Sequence, residues 1–226
     1  HENLIHVPSI TQIAPRRALI IGGGDGGSAD ELFKHPSMEK VTLVELDEKV
    51  VDIARRYLPK VHNGALDDPR LDLQIADGLT YVRATAAAAG ERFDLIVLDL
   101  TDPIGPAEAL YTEAFFADCK RLLTGQGALS LHLGAPVFQG ERVAMLFKRL
   151  GKIFSTVRPH FHYIPLYGSL WGMACASDNI DPLALTPADV DARLEARGVG
   201  QLQYYNGDTH RAAFAQPNYI RQCLTT

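Results

Sequence analysis

Two carboxylates with a spacing suited to amine chemistry follow an apolar run near the middle of the chain. Residues 93–98 read as a buried strand, and Asp99 and Asp102 come directly after it. Because open α/β sheets bind ligands beyond the carboxyl ends of their strands, both acids are expected in a cleft. Paired acids there can recognise a protonated amine and remove its proton. A divalent cation and a purely structural loop are the alternatives, but no third ligand is spaced to complete a metal shell.

A glycine-rich loop follows the first apolar run. Residues 18–21 read as a buried strand, and residues 22–27 read Gly-Gly-Gly-Asp-Gly-Gly. Glycines such as Gly22 and Gly24 let the backbone turn tightly and approach a ligand that a Cβ atom would exclude. Asp25 would repel a pyrophosphate by roughly 1–4 kcal/mol at contact distance and attract a cation equally. The loop therefore favours a nucleoside with a cationic tail over NAD, FAD or ATP, although Asp25 can also cap the following helix.

Acidic residues also follow the second and third predicted strands. Glu45 lies near the end of an apolar run over residues 41–46, where a carboxylate can accept hydrogen bonds from both ribose hydroxyls. Asp77 and Gly78 follow the run over residues 71–75, and an acid there can accept from an exocyclic amine such as adenine N6. Asp77 can equally be a helix cap. Together these strand ends predict a nucleoside site.

The elements that must position these residues alternate between strand and helix patterns along most of the chain. Apolar runs, and an alternating pattern over residues 71–75, predict seven strands, at residues 18–21, 41–46, 71–75, 93–98, 128–133, 156–164 and 170–176. An apolar stripe over residues 143–150 has helical spacing. Thr186 and Pro187 read as a helix start, and Gly198 as its end. This alternation predicts a mainly parallel sheet covered by helices on both faces.

Composition narrows the class of partner. The formal net charge is −5, which argues against a nucleic-acid or anionic-membrane surface and suits a cationic substrate. No apolar run approaches the ~20 residues that a membrane span requires. The three cysteines form no CxxC pair, so we expect buried thiols in a reducing compartment, the cytoplasm. We expect neither a metal nor a permanently bound cofactor.

These motifs together resemble the spermidine synthase family of polyamine aminopropyltransferases. The segments that carry the resemblance lie at residues 1–8, 19–27, 41–47, 68–70, 77–78, 99–108, 171–172 and 205–217. The resemblance implies a Rossmann-like, methyltransferase-type α/β fold. It also implies one catalytic domain over residues 1–226, without the family's N-terminal β-hairpin domain, in a homodimer or homotetramer. The implied reaction moves an aminopropyl group from decarboxylated S-adenosylmethionine to an amine such as putrescine, giving spermidine and 5′-methylthioadenosine.

The resemblance also implies a role for each matching residue. Glu45 would hold the ribose, Asp77 and Gly78 the adenine, and Asp25 the ammonium group of the donor or of the amine. The residues implied on the donor side are Gly22, Gly24, Asp25, Glu45, Asp77, Gly78 and Pro106. Asp99 would accept the proton. The residues implied around the acceptor amine are His1, Asp25, Asp99, Asp102 and Tyr167, with Tyr167 orienting it.

The sequence departs from the family's pattern around the acceptor amine. Leu100 stands where a small polar residue is usual, and His132 and Gly134 stand where glutamine and glutamate are usual. Residues 165–170 read Pro-Leu-Tyr-Gly-Ser-Leu, where the family usually has Pro-Thr-Tyr-Pro-Ser-Gly. His132 can contact substrate or satisfy a core hydrogen bond, and Trp171 is expected in the core. Two other functions therefore stay open, a non-catalytic paralogue that binds an adenosine thioether and an S-adenosylmethionine-dependent methyltransferase.

Overall fold

The chain folds around a seven-stranded sheet in a computed structural model, which describes residues 1–88, 90–100, 102 and 105–225 and only the backbone of Pro106. The strands are β1 (Arg17–Gly22), β2 (Lys40–Glu45), β3 (Leu71–Ile75), β4 (Phe93–Asp99), β5 (Leu123–Gly134), β6 (Thr156–Ile164) and β7 (Ser169–Ser177). Their spatial order is β3-β2-β1-β4-β5-β7-β6. β7 runs antiparallel to β5 and β6, and the other neighbours are parallel. The predicted strands and the mainly parallel sheet are confirmed.

Helices cover both faces of the sheet. The α-helices are α1 (Glu2–Thr11), α2 (Gly27–Phe33), α3 (Glu48–Tyr57), α4 (Pro59–His62), α5 (Gly78–Ala88), α6 (Glu113–Leu122), α7 (Gly140–Ile153), α8 (Pro187–Ala196), α9 (Gly207–Ala213) and α10 (Asn218–Thr225). Short 3₁₀ helices lie at Ala65–Asp67, Gly105–Tyr111, Pro165–Tyr167 and Pro182–Ala184. Within the part of the chain that the structure describes, no helix is long and apolar enough to cross a membrane.

Alternation along the strands divides the interior into two cores. In β1, Leu19 and Ile21 pack into one core, while Ala18 and Ile20 pack into the other, because successive side chains of a strand point to opposite faces. Helices α5, α6, α7 and α10 contribute to the first core, and helices α1, α2 and α8 to the second. The strands near the middle of the sheet are therefore apolar on both faces, as buried parallel strands must be.

Local signals fix helix ends as the sequence predicts. Thr186 and Asp189 form a capping box at the start of α8, with Pro187 at the first helical position. Gly198 follows this helix with a φ of 65°. The apolar stripe over residues 143–150 lies in α7, where Val143, Leu146 and Leu150 are fully buried.

Candidate active site

The glycine-rich loop after β1 lies against the end of β4. Gly22 pairs with Asp99 in the parallel ladder, and the backbone N–H of Gly23 donates to the carbonyl oxygen of Asp99 at 2.9 Å. Gly22 has a φ of 80°, a left-handed conformation that glycine adopts readily. The turn therefore brings the loop next to the carboxylate that the sequence identifies as a proton acceptor.

Glu45 ends β2 with its carboxylate oriented by two backbone donors. Its Oε2 accepts from the N–H of Gly24 at 3.1 Å, and its Oε1 accepts from the N–H of Asp47 at 3.0 Å. A Cβ atom at position 24 would lie 2.8 Å from Oε2, so the loop can approach this closely only with glycine. Each carboxylate oxygen has capacity for another donor. This arrangement suits the two hydroxyls of a ribose.

Three ionisable groups meet beside the loop. The Nε2 atom of His1 lies 3.4 Å from Oδ2 of Asp25 and 3.8 Å from Oδ2 of Asp99. The ring packs on Gly27, where a Cβ atom would lie 2.3 Å from it. Burial opposes protonation of His1, but the hydrogen bond to Asp25 and the charges of both acids outweigh burial and raise its pKa to about 9. Two carboxylates thus converge on one cation, the environment that a protonated amine requires.

Asp25 has one carboxylate oxygen bonded to the start of α2 and the other facing a cation, the two contacts that the sequence left open. Its Oδ1 accepts from the backbone N–H of Gly27 at 2.9 Å, at the first residue of α2. Its Oδ2 faces His1. The local hydrogen bond orients the carboxylate, and the second oxygen remains directed at a cation.

Asp99 is largely buried at the end of β4, with its side chain 14% exposed. The Oγ of Ser28 donates to its Oδ2 at 2.6 Å, and Nε2 of His132 lies 3.4 Å from its Oδ1. Burial raises the pKa of Asp99, but the hydrogen bond from His132, the electrostatic attraction of His132 and His1, and the hydrogen bond from Ser28 hold the pKa below its ordinary value. Asp99 is therefore a carboxylate at neutral pH.

Asp77 caps α5. Its Oδ2 accepts from the backbone N–H of Thr80 at 3.1 Å and from the Thr80 hydroxyl at 2.5 Å. Gly78 packs against the side chain of Ile21. The helix-cap interpretation of Asp77 is confirmed, and both Asp77 and Gly78 also line the cavity that the other site residues share.

This cavity has a volume of about 590 Å³, within the range typical of small-molecule sites. The predicted site residues in its lining are Gly22, Gly24, Asp25, Glu45, Asp77, Gly78, Asp99 and Tyr167. Apolar side chains of Leu100 and Leu110 complete part of the wall. The side chain of Pro106, predicted to line the nucleoside pocket, lies outside the described residues.

Aromatic side chains form the wall near Tyr167. Tyr167 is 50% exposed, and its ring centroid lies 4.5 Å from that of Trp171. Trp171 lines the cavity and donates from Nε1 to Nδ1 of His132 at 3.0 Å. The expectation that Trp171 packs against the core is confirmed, and its indole N–H also has a polar partner at the edge of the site.

Asp102 has a different environment from the other acids. Arg142 donates from Nη1 to its Oδ1 at 2.5 Å, and Gln139 donates from Nε2 to its Oδ2 at 3.1 Å. Both donors belong to the start of α7 or the residue before it. The Arg142 guanidinium neutralises the carboxylate, so an amine that binds Asp102 must share it with an arginine.

The same cluster also has a spacing that a metal ion could use. Ligand atoms of His1, Asp25 and Asp99 all lie within 4.8 Å of one another. Either an ammonium group or a divalent cation can bridge oxygen ligands at such distances. The expectation that the protein uses no metal stays a prediction.

The chain is similar to one family of enzymes along most of its length. The family described as "Spermine/spermidine synthase domain" matches residues 1–184. The chain belongs to the spermine/spermidine synthase family. It is 48% identical over 225 residues to a polyamine aminopropyltransferase of Nitrosomonas europaea, and the match covers 100% of this chain and 68% of that protein. It is 41% identical to polyamine aminopropyltransferase 1 of Pseudomonas aeruginosa, over 99% of this chain and 77% of that protein.

Solved members of the family share the fold. A spermidine synthase crystallised with the transition-state analogue AdoDATO has a TM-score of 0.90 and 36% identity, covering 100% of this chain and 74% of that chain. The spermidine synthase of Thermotoga maritima has a TM-score of 0.88 and 36% identity over the same shares. The predicted family and the Rossmann-like, methyltransferase-type fold are confirmed.

Three residues that the sequence did not assign to the site lie around Asp99, although His132 and Trp171 were both considered there. Ser28 and His132 both contact Asp99, and Trp171 contacts His132. Ser28 gave no signal, since a serine in the first turn of a helix is ordinary. His132 did give one, because it stands where the family usually has glutamine and its predicted strand neighbours the strand of Asp99.

Proposed function

We propose that this protein is an aminopropyltransferase that moves the aminopropyl group of decarboxylated S-adenosylmethionine to a primary amine such as putrescine, giving spermidine and 5′-methylthioadenosine. The observation that carries the proposal is the convergence of Asp25 and Asp99 on the His1 ring at the wall of a nucleoside-sized cavity that both acids line. Family membership favours this reaction over a methyltransferase or a non-catalytic binder.

The nucleoside part of the donor binds along the glycine-rich loop. Glu45 accepts hydrogen bonds from the ribose hydroxyls with the oxygen capacity that its two backbone donors leave. Asp77 and Gly78 receive the adenine at the start of α5. We expect Pro106 to line the same pocket, as the sequence predicts. Gly22 and Gly24 keep the loop close enough for these contacts.

Asp25 selects between donors. Decarboxylated S-adenosylmethionine carries an ammonium group on its aminopropyl chain, which the Asp25 carboxylate attracts. Intact S-adenosylmethionine carries a carboxylate near that ammonium, which Asp25 repels by roughly 1–4 kcal/mol at contact distance in a surface-like dielectric. Specificity thus arises partly from an unfavourable contact with the wrong donor.

The chemistry follows from charge. The unprotonated amine nitrogen attacks the aminopropyl carbon next to sulfur, a C–N bond forms, the C–S bond breaks, and sulfur keeps the electron pair as a neutral thioether. A sulfonium needs no acid to leave, so alignment and removal of the proton from the amine supply the catalysis. Asp99 accepts this proton, and Tyr167 orients the amine from the cavity wall.

His1 and Asp102 complete the acceptor side of the proposal. His1 lies next to both Asp25 and Asp99 and contacts the amine that these acids bind. Asp102 provides a second, weaker anchor, because Arg142 offsets its charge. The absence of a CxxC pair supports a cytoplasmic location. The resemblance to the family supports a homodimer or homotetramer, and light scattering on the purified protein tests this oligomeric state.

The test is a panel of amines incubated with decarboxylated and with intact S-adenosylmethionine, read by mass spectrometry. We expect transfer to at least one primary amine from the decarboxylated donor and little from the intact one. Asp25→Asn should weaken use of the decarboxylated donor at least ~10-fold while changing binding of the intact donor much less. If no amine gains an aminopropyl group, the proposal fails, and equal losses for both donors would reduce Asp25 to a helix cap.

A further inference from the structure

The environment of Asp99 contains a hydrogen-bonded chain that begins at Trp171. The indole Nε1–H donates to Nδ1 of His132 at 3.0 Å, and Nε2 of His132 lies 3.4 Å from Oδ1 of Asp99. The indole and imidazole rings meet edge to face, with centroids 6.2 Å apart. Both His132 and Trp171 line the cavity.

The register of the sheet brings these groups together. Leu98 of β4 pairs with Leu131 of β5 in the parallel ladder, so Asp99 and His132 occupy the next positions of adjacent strands. Residues paired in this way point to the same face of a sheet. The β5–β7 ladder shifts register between His132 and Gly134, and such irregularities commonly re-aim a side chain next to a site.

Trp171 fixes the protonation of His132. An indole N–H can only donate, so Nδ1 of His132 must be the unprotonated acceptor. The remaining proton of a neutral imidazole then lies on Nε2, the atom that faces Asp99. Protonation at Nδ1 would place two donors against each other at 3.0 Å, which disfavours an imidazolium.

We propose that His132 is a positioning residue for Asp99, held by Trp171 as a neutral imidazole whose Nε2–H orients the carboxylate without neutralising it. Ser28 donates to one oxygen of Asp99 and His132 faces the other, so the two donors fix the rotation of the carboxylate. Catalytic hydrogen bonds of this length commonly tighten once substrate is bound. The negative charge of Asp99 stays available to a cationic substrate, which a lysine or an imidazolium at position 132 would offset.

This inference rests on the proposed function, and the variants separate the two. His132→Leu removes the donor and should lower kcat about 10-fold or more, with little change in affinity for 5′-methylthioadenosine. His132→Gln can accept from Trp171 and donate to Asp99 without titrating, so it should retain kcat within about threefold. Trp171→Phe keeps an aromatic ring but removes the N–H that disfavours the imidazolium.

The pH profile distinguishes positioning from packing. Without the His132 donor the pKa of Asp99 rises, so the acid limb of kcat/KM should move to higher pH in His132→Leu. His1 and Asp25 also face Asp99, and both are unchanged in these variants. Trp171→Phe should lose more activity at acid pH than the wild type does, because Nδ1 of His132 no longer accepts from the indole and can take up a proton.

A measurement that needs no turnover reads the tautomer directly. Nitrogen-15 NMR of histidine-labelled protein should show an unprotonated Nδ1 and a protonated Nε2 for His132, assigned by its loss in His132→Gln. The opposite tautomer, an imidazolium at pH 7, or His132→Leu with wild-type kcat and pH profile would overturn the inference, as would His132→Gln falling as far as His132→Leu. A wild type that transfers nothing overturns the proposed function instead.

Discussion

Replacement of Glu45 by alanine is the sharpest test of the nucleoside site. The carboxylate ends β2 with each oxygen already bonded to one backbone N–H, from Gly24 and from Asp47. These bonds aim the carboxylate and leave capacity for the two ribose hydroxyls. Glu45→Ala removes both acceptors from the ligand, whereas Glu45→Gln keeps one side-chain acceptor and loses the charge.

The magnitude follows from the number of hydrogen bonds. A hydrogen bond to a charged group contributes about 1.5–3 kcal/mol, so two contribute about 3–6 kcal/mol. Each 1.4 kcal/mol corresponds to about tenfold in affinity, so Glu45→Ala should raise the Kd of 5′-methylthioadenosine about 10²–10⁴-fold. Glu45→Gln should lie between the alanine variant and the wild type.

Isothermal titration calorimetry with 5′-methylthioadenosine measures this loss. Glu48→Ala is a matched control, since Glu48 is an exposed glutamate at the start of α3 that does not line the cavity. The melting temperature of each variant shows that it is folded. A Kd for Glu45→Ala within about threefold of the wild type would refute the assignment of Glu45 to the ribose.

Two further predictions concern the acids of the acceptor side and the stability of the fold. Asp99→Asn should lower kcat by ~10²–10⁴-fold with a modest change in amine KM, whereas Asp102→Asn should mainly raise that KM. Steady-state kinetics measure both effects. A near-normal kcat in Asp99→Asn would exclude Asp99 as the general base. Burial lowers the pKa of His35 to about 3 and that of His162 to about 4, with neighbouring histidines adding to the effect. Their folded-state pKa values lie below the unfolded value, so the stability that they contribute is present above pH 6.5 and is lost as the pH falls. At pH 5 each histidine should lower the free energy of unfolding by roughly 2 kcal/mol. Urea unfolding between pH 8 and pH 5 measures this loss, and a free energy of unfolding that does not change with pH would contradict it.

The sequence by itself determined the class of fold and which acidic residues lie at the carboxyl ends of the strands. Apolar runs marked the central strands β1, β2, β4 and β5, because a buried parallel strand is apolar on both faces, and weaker patterns marked β3, β6 and β7. Glu45, Asp77 and Asp99 each end or follow one of these runs. Parallel strands present their carboxyl ends at one edge of the sheet, so residues at those positions converge whatever the details of packing.

Only the tertiary structure decided how the acids are partnered. Asp99 and Asp102 look alike in the sequence, yet Asp99 meets His132 and Ser28, while Asp102 is offset by Arg142 from α7. The partners lie tens of residues away along the chain.

Strand order and register, rather than local pattern, place His132 beside Asp99. Leu98 and Leu131 pair in adjacent strands, and a register shift near Gly134 accompanies the contact with Trp171. The apolar pattern of a strand shows which residues are buried but does not state which strand lies next to it or in what register. The orientation and the charge of the Asp99 carboxylate are set by those long-range pairings, which form only when the whole sheet assembles.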